Sequence, residues 1–240
     1  MKPVPSSRQV RIGEVLHDAL AFDPKTWREG QMGVAEDLTP AVQLLFDLLA
    51  ERRIEYALAG GLAVLHYLEG RNTKDIDLLM APSGLDALPE IVVTSRHDPF
   101  ANTLFAGVRL DLLLTTDPLF AKVLHAYTSM EHVDNRPIPC ATVEGLLLLK
   151  LYALPALYRH GDFVRVGLYE NDVATLLHAY RPALEPVLME LGRHLSASDL
   201  AAVKAVLPDL QRRFRYLRPD QISEDTPPYP NSSDLEPVDP

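Results

Sequence analysis

Residues 56–80, YALAGGLAVLHYLEGRNTKDIDLLM, limit what this chain can fold into more than any other stretch. An apolar run typical of a strand ends at Gly60 and Gly61, a helix-like segment follows, and a second apolar run carries Asp75 and Asp77. Because side chains two apart on a β-strand share a face, the two carboxylates are predicted to lie side by side. Adjacent carboxylates on a rigid strand offer the hard oxygen ligands that divalent cations prefer.

Gly60 and Gly61, between a predicted strand and a predicted helix, have two explanations. One is a tight turn that requires the conformational freedom of glycine. The other is a close approach of the backbone to phosphate groups at a helix N-terminus, where unpaired N–H groups and the helix dipole favour anions. Two glycines taken alone favour the turn.

A third carboxylate lies further along, in the stretch 103–115, TLFAGVRLDLLLT, which is predicted to form two strands hinged at its Ala-Gly pair. On the second strand Arg109, Asp111 and Leu113 share one face, and the alternate apolar residues share the other. An acid among strong strand formers is not typical of a solvated loop. Asp111 therefore joins the earlier pair as a candidate ligand.

Three carboxylates that converge on one face can hold one or two Mg²⁺ ions. Two ions about 3.5–4 Å apart would stabilise both the attacking and the leaving oxygen of a phosphoryl or nucleotidyl transfer. The Asp-x-Asp spacing alone is a weak signal, because glycosyltransferases also use such a pair to hold a metal and a sugar nucleotide. The combination with the glycines and Asp111 favours nucleotide chemistry. The sequence has no Walker-type GxxxxGK[ST], no Rossmann glycine pattern and no GxSxG, which disfavours other common enzymes.

The 240 residues suffice for one domain, or for one domain with a helical extension, and 47% hydrophobic and 23% charged residues are ordinary for a soluble globular protein. No run reaches the ~18 uninterrupted apolar residues of a transmembrane helix, and the N-terminus lacks the compact apolar core of a signal peptide. Cys140 is the single cysteine, which excludes an intrachain disulfide. A cytoplasmic protein without membrane contact is therefore expected.

The net charge of −10 is unevenly placed. The final 22 residues, 219–240, hold six acids, six prolines and no Lys or Arg, a composition that predicts a disordered tail. A basic cluster precedes it, formed by Arg212, Arg213, Arg215 and Arg218. A solvated helix end explains this cluster, and an RNA contact is the alternative, since nucleic-acid binding usually needs a basic face.

The C-terminal third of the chain is predicted to be mainly helical. Thr142 is expected to cap a strongly apolar helix, TVEGLLLLKLYAL, which Pro155 ends or kinks. Residues 159–169 are predicted to be irregular, with helical spacing resuming at 172–179. Lys150 is an ammonium group within that apolar helix, and extension of its stem to the surface is one explanation for it.

Residues 56–80 resemble the signature of the nucleotidyltransferase (DNA polymerase β-like) superfamily, a Gly-Gly or Gly-Ser followed at this distance by Asp-x-Asp. The segment AGGLAVLHYLEGRNTKDIDLLM is similar in sequence to the AbiEii-type toxin branch and its uncharacterised bacterial relatives. VRLDLLLT around Asp111 and PCATVEGLLLLKLYA around Lys150 extend the resemblance, which covers roughly 39–179.

The resemblance implies an α/β (α+β) nucleotidyltransferase fold, with a small mixed β-sheet flanked by helices and a C-terminal helical part. It also implies Mg²⁺ and a nucleoside triphosphate substrate. The expected domains are an N-terminal irregular or helical extension (1–38), a nucleotidyltransferase core (39–140), a helical part (141–218) and the acidic, Pro-rich tail (219–240).

The resemblance also assigns roles to individual residues. The catalytic and metal-binding residues it implies are Asp75, Asp77 and Asp111. The candidate nucleotide-binding residues are Gly60, Gly61, Arg71, Thr73 and Lys150. For Arg71 and Thr73 the alternatives are a contact with phosphate and a role in orienting the strand. Asp111 would complete the metal site and help to deprotonate the attacking hydroxyl, and Lys150 would contact the triphosphate.

One segment and one single position depart from the family pattern. Many relatives carry an Arg-x-Lys-Asp-like string after the lysine, whereas RVGLYENDVATLL retains Arg165 and Asp172 without a Lys-Asp pair. Position 61 is Gly where catalytic members often have Ser, so a hydroxyl contact to phosphate would be missing, although backbone N–H groups could serve.

The expected function is Mg²⁺-dependent transfer of a nucleoside monophosphate from an NTP to a hydroxyl. The toxin branch implies an RNA 3′ end, such as tRNA, or a protein hydroxyl as acceptor. It also implies a toxin–antitoxin or phage-defence role with an antitoxin protein as partner. Two alternatives stay open: a non-catalytic binding or antitoxin-like module of the same fold, and a transferase acting on a small molecule of the aminoglycoside type.

Overall fold

The computed structural model describes residues 11–21, 38–68, 73–133 and 136–213, and the structural statements that follow concern these residues. Several sequence-based predictions fall outside them, namely those for Arg71, Arg215, Arg218 and the tail 219–240.

Seven strands form one mixed sheet. They are β1 (Tyr56–Ala59), β2 (Ile76–Met80), β3 (Val92–His97), β4 (Phe100–Phe105), β5 (Val108–Leu114), β6 (Thr128–Val133) and β7 (Arg136–Ala141). Their order across the sheet is β3-β4-β5-β2-β1-β7-β6. The pairs β2–β5 and β1–β7 are parallel, and the other neighbouring pairs are antiparallel.

Helices flank this sheet and follow it in the chain. They are α1 (Ile12–Ala21), α2 (Thr39–Glu51), α3 (Gly60–Tyr67), α4 (Pro82–Asp86), α5 (Pro118–Ala126), α6 (Val143–His160), α7 (Phe163–Tyr180), α8 (Leu184–Leu191) and α9 (Ala197–Arg212). Buried apolar side chains from Ile12 to Leu210 belong to one core cluster, so α1 and α9 pack into the same core as the sheet. The predicted mixed sheet flanked by helices, with a helical C-terminal part, is confirmed.

Burial alternates along β5 as its sequence predicts, whereas on β2 only Asp77 is partly exposed and the other residues are all buried. On β5 the residues Val108, Leu110, Leu112 and Leu114 are buried, whereas Arg109 is exposed and Asp111 half-buried. The turn into β5 uses Ala106 (φ 45°) and Gly107 (φ 84°), which confirms the predicted hinge between two strands. The alternation buries leucines against the helices and leaves the carboxylate face open.

The prediction for 159–169 is wrong, because α6 continues through Pro155 to His160 and α7 begins at Phe163. Pro155 is itself buried, so packing of the helix offsets the backbone hydrogen bond that the proline removes. Gly161, in the left-handed region (φ 68°), ends α6, and the Asp162 carboxylate accepts from the Arg165 N–H at 3.1 Å to start α7. The Gly-Asp pair was a readable boundary signal that helical spacing alone misses. Thr142 caps α6 as predicted, accepting from the Gly145 N–H at 3.2 Å.

Candidate active site

Asp77 and Asp111 stand directly opposite each other on the paired parallel strands β2 and β5. Neighbouring strands lie about 4.8 Å apart, so the two side chains share one patch of the sheet. On its other side Asp77 is opposite Ala59, the last residue of β1. The site therefore lies where β1 ends and β2 begins. The predicted convergence of Asp77 with Asp111 is what this register produces.

Gly60 and Gly61 form the turn that closes over Asp77. Gly60 has φ 57°, and a Cβ atom there would lie 1.8 Å from the Asp77 Oδ2 atom, so no side chain fits. The Gly61 N–H donates a hydrogen bond of 3.2 Å to the same oxygen. The glycines thus satisfy the turn explanation and also hold the carboxylate of the central aspartate at the start of α3.

Thr73 occupies the space beside Gly61. A Cβ atom on Gly61 would lie 2.7 Å from both the Cβ and the Oγ1 atoms of Thr73. A serine at position 61 would therefore require Thr73 to move, which gives a physical reason for the glycine. The Thr73 hydroxyl also donates to the Asp75 carbonyl at 3.3 Å and so helps to shape the bend before β2.

Asp75 lies in a bend immediately before β2, one residue short of the strand on which it was predicted. Its Oδ1 atom forms an ion pair with the Nε atom of Arg109 at 2.7 Å. Arg109 is on β5, two residues before Asp111 and on the same face. The Asp75 carboxylate therefore faces the site but is held by the guanidinium of Arg109.

Burial raises the pKa of all three carboxyl groups, and a neighbouring carboxylate raises it further at Asp77 and at Asp111. Burial and then the charge of Asp111 raise the pKa of Asp77 to about 6, against the favourable effects of Lys150 and the Gly61 N–H. Burial and then the charge of Asp75 raise the pKa of Asp111. Burial also raises the pKa of Asp75, although Arg109 acts in the opposite direction. Clustered carboxylates that resist ionisation are typical of sites that bind a cation.

Magnesium fits this site by the type of its donors, since three carboxylates supply the oxygen ligands that the ion prefers. As the side chains stand, no group of three or more His, Cys, Asp or Glu within the described ranges is close enough to hold a metal ion. The Asp75 carboxylate is paired with the Arg109 guanidinium. Metal binding by Asp75, Asp77 and Asp111 thus stays a prediction.

The Lys150 side chain does not extend to the surface, so the explanation that its stem carries the ammonium group to solvent is wrong. Its side chain is only 4% exposed and its Nζ atom lies 2.8 Å from the Oδ2 atom of Asp172, which is 3% exposed. The Nζ atom also lies 4.5 Å from the centre of the Tyr169 ring. Its charge reaches Asp77, whose pKa it lowers. Contact with a triphosphate stays a prediction for this residue.

Residues 165–172, which lack the Lys-Asp pair of many relatives, face the carboxylates. Tyr169 and Asp172 both contact Lys150, and Arg165 lies one turn earlier on the same side of α7. The charge of Arg165 lowers the pKa of both Asp75 and Asp111. The segment therefore retains a cation near the site although it lacks the Lys-Asp pair.

Arg109 and Tyr169 are site residues to which the sequence reasoning gave no role. Arg109 carried a readable signal, since strand periodicity places it on the face of Asp111. Tyr169 carried none, because its segment was predicted to be irregular. The His66 Nε2 atom on α3 lies 3.0 Å from the Glu131 Oε2 atom on β6.

No protein-family model and no curated protein matches this chain. Among solved structures, it is similar to an antigenic nucleotidyltransferase-like protein from Paracoccidioides brasiliensis, with 19% identity and a TM-score of 0.49 over 73% of this chain and 91% of that one. It is also similar to ANT(2″)-Ia in complex with adenylyl-2″-tobramycin (14% identity, TM-score 0.43, covering 69% and 96%). A third similar structure is terminal uridylyl transferase 4 from Trypanosoma brucei with bound CTP (14%, 0.27, 85% and 73%).

Proposed function

We propose that this chain is a Mg²⁺-dependent nucleotidyltransferase that moves a nucleoside monophosphate from an NTP to a hydroxyl, with pyrophosphate as the leaving group. The observation that carries the proposal is the register of Asp77 opposite Asp111, beneath the turn formed by Gly60 and Gly61. A carboxylate pair at this position, with raised pKa values and a buried lysine nearby, suits a cation-dependent transfer of an anionic group.

Asp75, Asp77 and Asp111 would hold the magnesium, which when bound would neutralise the triphosphate and polarise the reacting phosphate. Gly61 would keep the Asp77 carboxylate in place through its backbone N–H. Asp111 would accept the proton of the attacking hydroxyl, a role for which a raised carboxylate pKa is favourable. Lys150 would keep Asp77 ionised by its positive charge.

The acceptor we favour is the hydroxyl of an RNA 3′ end, such as that of tRNA, or of a protein. The described cations near the carboxylates, Lys74, Arg109 and Arg165, would suit a polyanionic substrate. The proposed toxin–antitoxin or phage-defence role, with an antitoxin partner, follows from the similarity of the sequence of residues 56–80 to the AbiEii-type branch. A cationic small molecule is the second candidate acceptor, and the net charge of −10 is what favours it.

The test is label transfer from each of the four α-³²P-labelled NTPs with Mg²⁺, offered in parallel to bulk RNA including tRNA, to a protein lysate and to an aminoglycoside. We expect label on one macromolecular class and at least a hundredfold loss of label in Asp77→Asn. Asp209→Asn is the matched control, because that carboxylate pairs with Arg212 on the exposed side of α9.

Label on the aminoglycoside alone would select the second candidate. Label in no acceptor, under conditions where the protein is folded, would contradict transfer and support a non-catalytic module. Equal labelling by the Asp77 variant and the wild type would contradict the assignment of Asp77 to the active site.

A further inference from the structure

The Arg109 guanidinium is paired with one of the three carboxylates of the candidate site. Its Nε atom lies 2.7 Å from the Asp75 Oδ1 atom, while the strand that carries it also carries Asp111. Both partners are partly exposed, with 50% of the Arg109 side chain and 33% of the Asp75 side chain accessible to water. The pair therefore forms at the open side of the site.

A guanidinium and a divalent cation compete for the same carboxylate oxygen. Both carry positive charge, so they repel each other at short distance, and the Oδ1 lone pair that accepts from Nε is one of the four acceptor sites that the carboxylate offers to a metal. Exposed ion pairs are worth little, typically about 0–1 kcal/mol, so the guanidinium can be displaced at small cost.

We propose that Arg109 is a displaceable counter-ion of the site. It holds Asp75 when no metal is bound, and it leaves that carboxylate when a divalent cation is ligated there. The metal affinity of the wild-type chain is then lower than its carboxylates alone would give. This inference rests on the proposed function, because it presupposes that the cation is bound by Asp75, Asp77 and Asp111.

The test is the affinity for Mn²⁺ alone, followed through the electron paramagnetic resonance of the free ion, which requires neither a nucleotide nor an acceptor. Arg109→Gln removes the competing charge and keeps most of the side-chain stem. We expect this variant to bind Mn²⁺ about two- to fivefold more tightly than the wild type, the range that a pair of this exposure can supply.

Two control variants separate competition from a general change of charge. Arg165→Gln removes a charge that acts on both Asp75 and Asp111, but its guanidinium lies beside Asp162, 3.6 Å away, and not in the ion pair with Asp75. Arg96→Gln removes a charge on β3 that pairs with Asp98 at 3.2 Å. Competition predicts a larger gain for Arg109→Gln than for Arg165→Gln, and no gain for Arg96→Gln.

Equal gains for the Arg109 and Arg165 variants would show that only the long-range field matters and would overturn the inference. Unchanged or weaker Mn²⁺ binding by Arg109→Gln would overturn it as well. Asp77→Asn decides the proposed site separately. Lost binding in that variant supports the site whatever Arg109 does, and undiminished binding contradicts the site itself.

Discussion

Asp77 is held in surroundings that suit its proposed chemistry and oppose its ionisation. Burial and the facing carboxylate of Asp111 raise its pKa to about 6, from an ordinary value of 3.8. A folded-state pKa above the unfolded value means that the native state binds the proton more tightly. The stabilisation from this proton is fully present below about pH 4 and is lost as the pH rises through 6.

Asp77→Asn is therefore expected to remove transfer activity and yet to stabilise the metal-free protein at pH 7.5, by about 1–2 kcal/mol. The amide oxygen of asparagine can still accept from the Gly61 N–H, while the charge facing Asp111 is gone. Urea unfolding in EDTA at pH 5 and pH 7.5 measures this gain. The difference between variant and wild type should shrink at pH 5, and a variant less stable than the wild type at pH 7.5 would contradict the account.

At the scale of elements, the buried ion pair of Lys150 and Asp172 joins α6 to α7 beneath the site. A buried pair is costly to break from one side, because the remaining charge stays buried after losing its ion-pair partner. The aromatic face of Tyr169, on the same helix as Asp172, adds a second favourable contact for the ammonium. The pair therefore couples the site to the packing of two helices.

Lys150→Met should cost about 3 kcal/mol of unfolding free energy, because it leaves Asp172 charged and buried. The double variant with Asp172→Leu should recover most of that loss. Urea unfolding of both single variants and the double variant gives the coupling energy. Arg159→Met is the control, since Arg159 joins α6 to Asp199 of α9 through a more exposed pair and should cost less than about 1 kcal/mol.

Several elements were predictable because their signals are local. The Ala-Gly hinge, the alternation along β5 and the Thr142 cap are encoded within a few residues of where they act. The course of α6 through Pro155 was not, because the packing that tolerates the proline comes from distant parts of the chain. The position of Asp75 just outside β2 is a boundary that periodicity does not define.

At the scale of the whole molecule, the last described helix is tied back to the layer around the site. The buried Glu170 carboxylate on α7 accepts from the Tyr158 hydroxyl of α6 and from Arg213 at the end of α9. The neighbouring Arg212 instead pairs with Asp209 on its own helix, where both side chains are more than half exposed. Of the two, only Arg213 joins α9 to another helix.

Arg213→Ala should cost about 1–2 kcal/mol, since a hydrogen-bonded ion pair to a buried carboxylate is lost. For a chain of this size that corresponds to a fall in the thermal midpoint of about 2–6 °C. Arg212→Ala removes the same charge one residue earlier and should lower the midpoint by less than about 1 °C. Equal shifts in calorimetry for the two variants would contradict the tie to Glu170.

The strand order could not be predicted from the sequence, although the carboxylates could be identified as candidate site residues. Asp-x-Asp and the acid on the later strand were recognisable from residue type and spacing. Which strand pairs with which depends on contacts between distant segments, and β1, β2 and β5 are neighbours only in the finished sheet. The ion pair of Arg109 with Asp75 follows from that same order, and so its place in the site was not foreseen.

The seam between β2 and β5 also decides whether two carboxylates of the candidate site meet. β4 and β5 are an antiparallel pair joined by a short turn, whereas the parallel seam joins segments about thirty residues apart. Asp77 and Asp111 meet only across that seam. A substitution that weakens the pairing of β2 with β5 would therefore separate the two carboxylates without changing either of them.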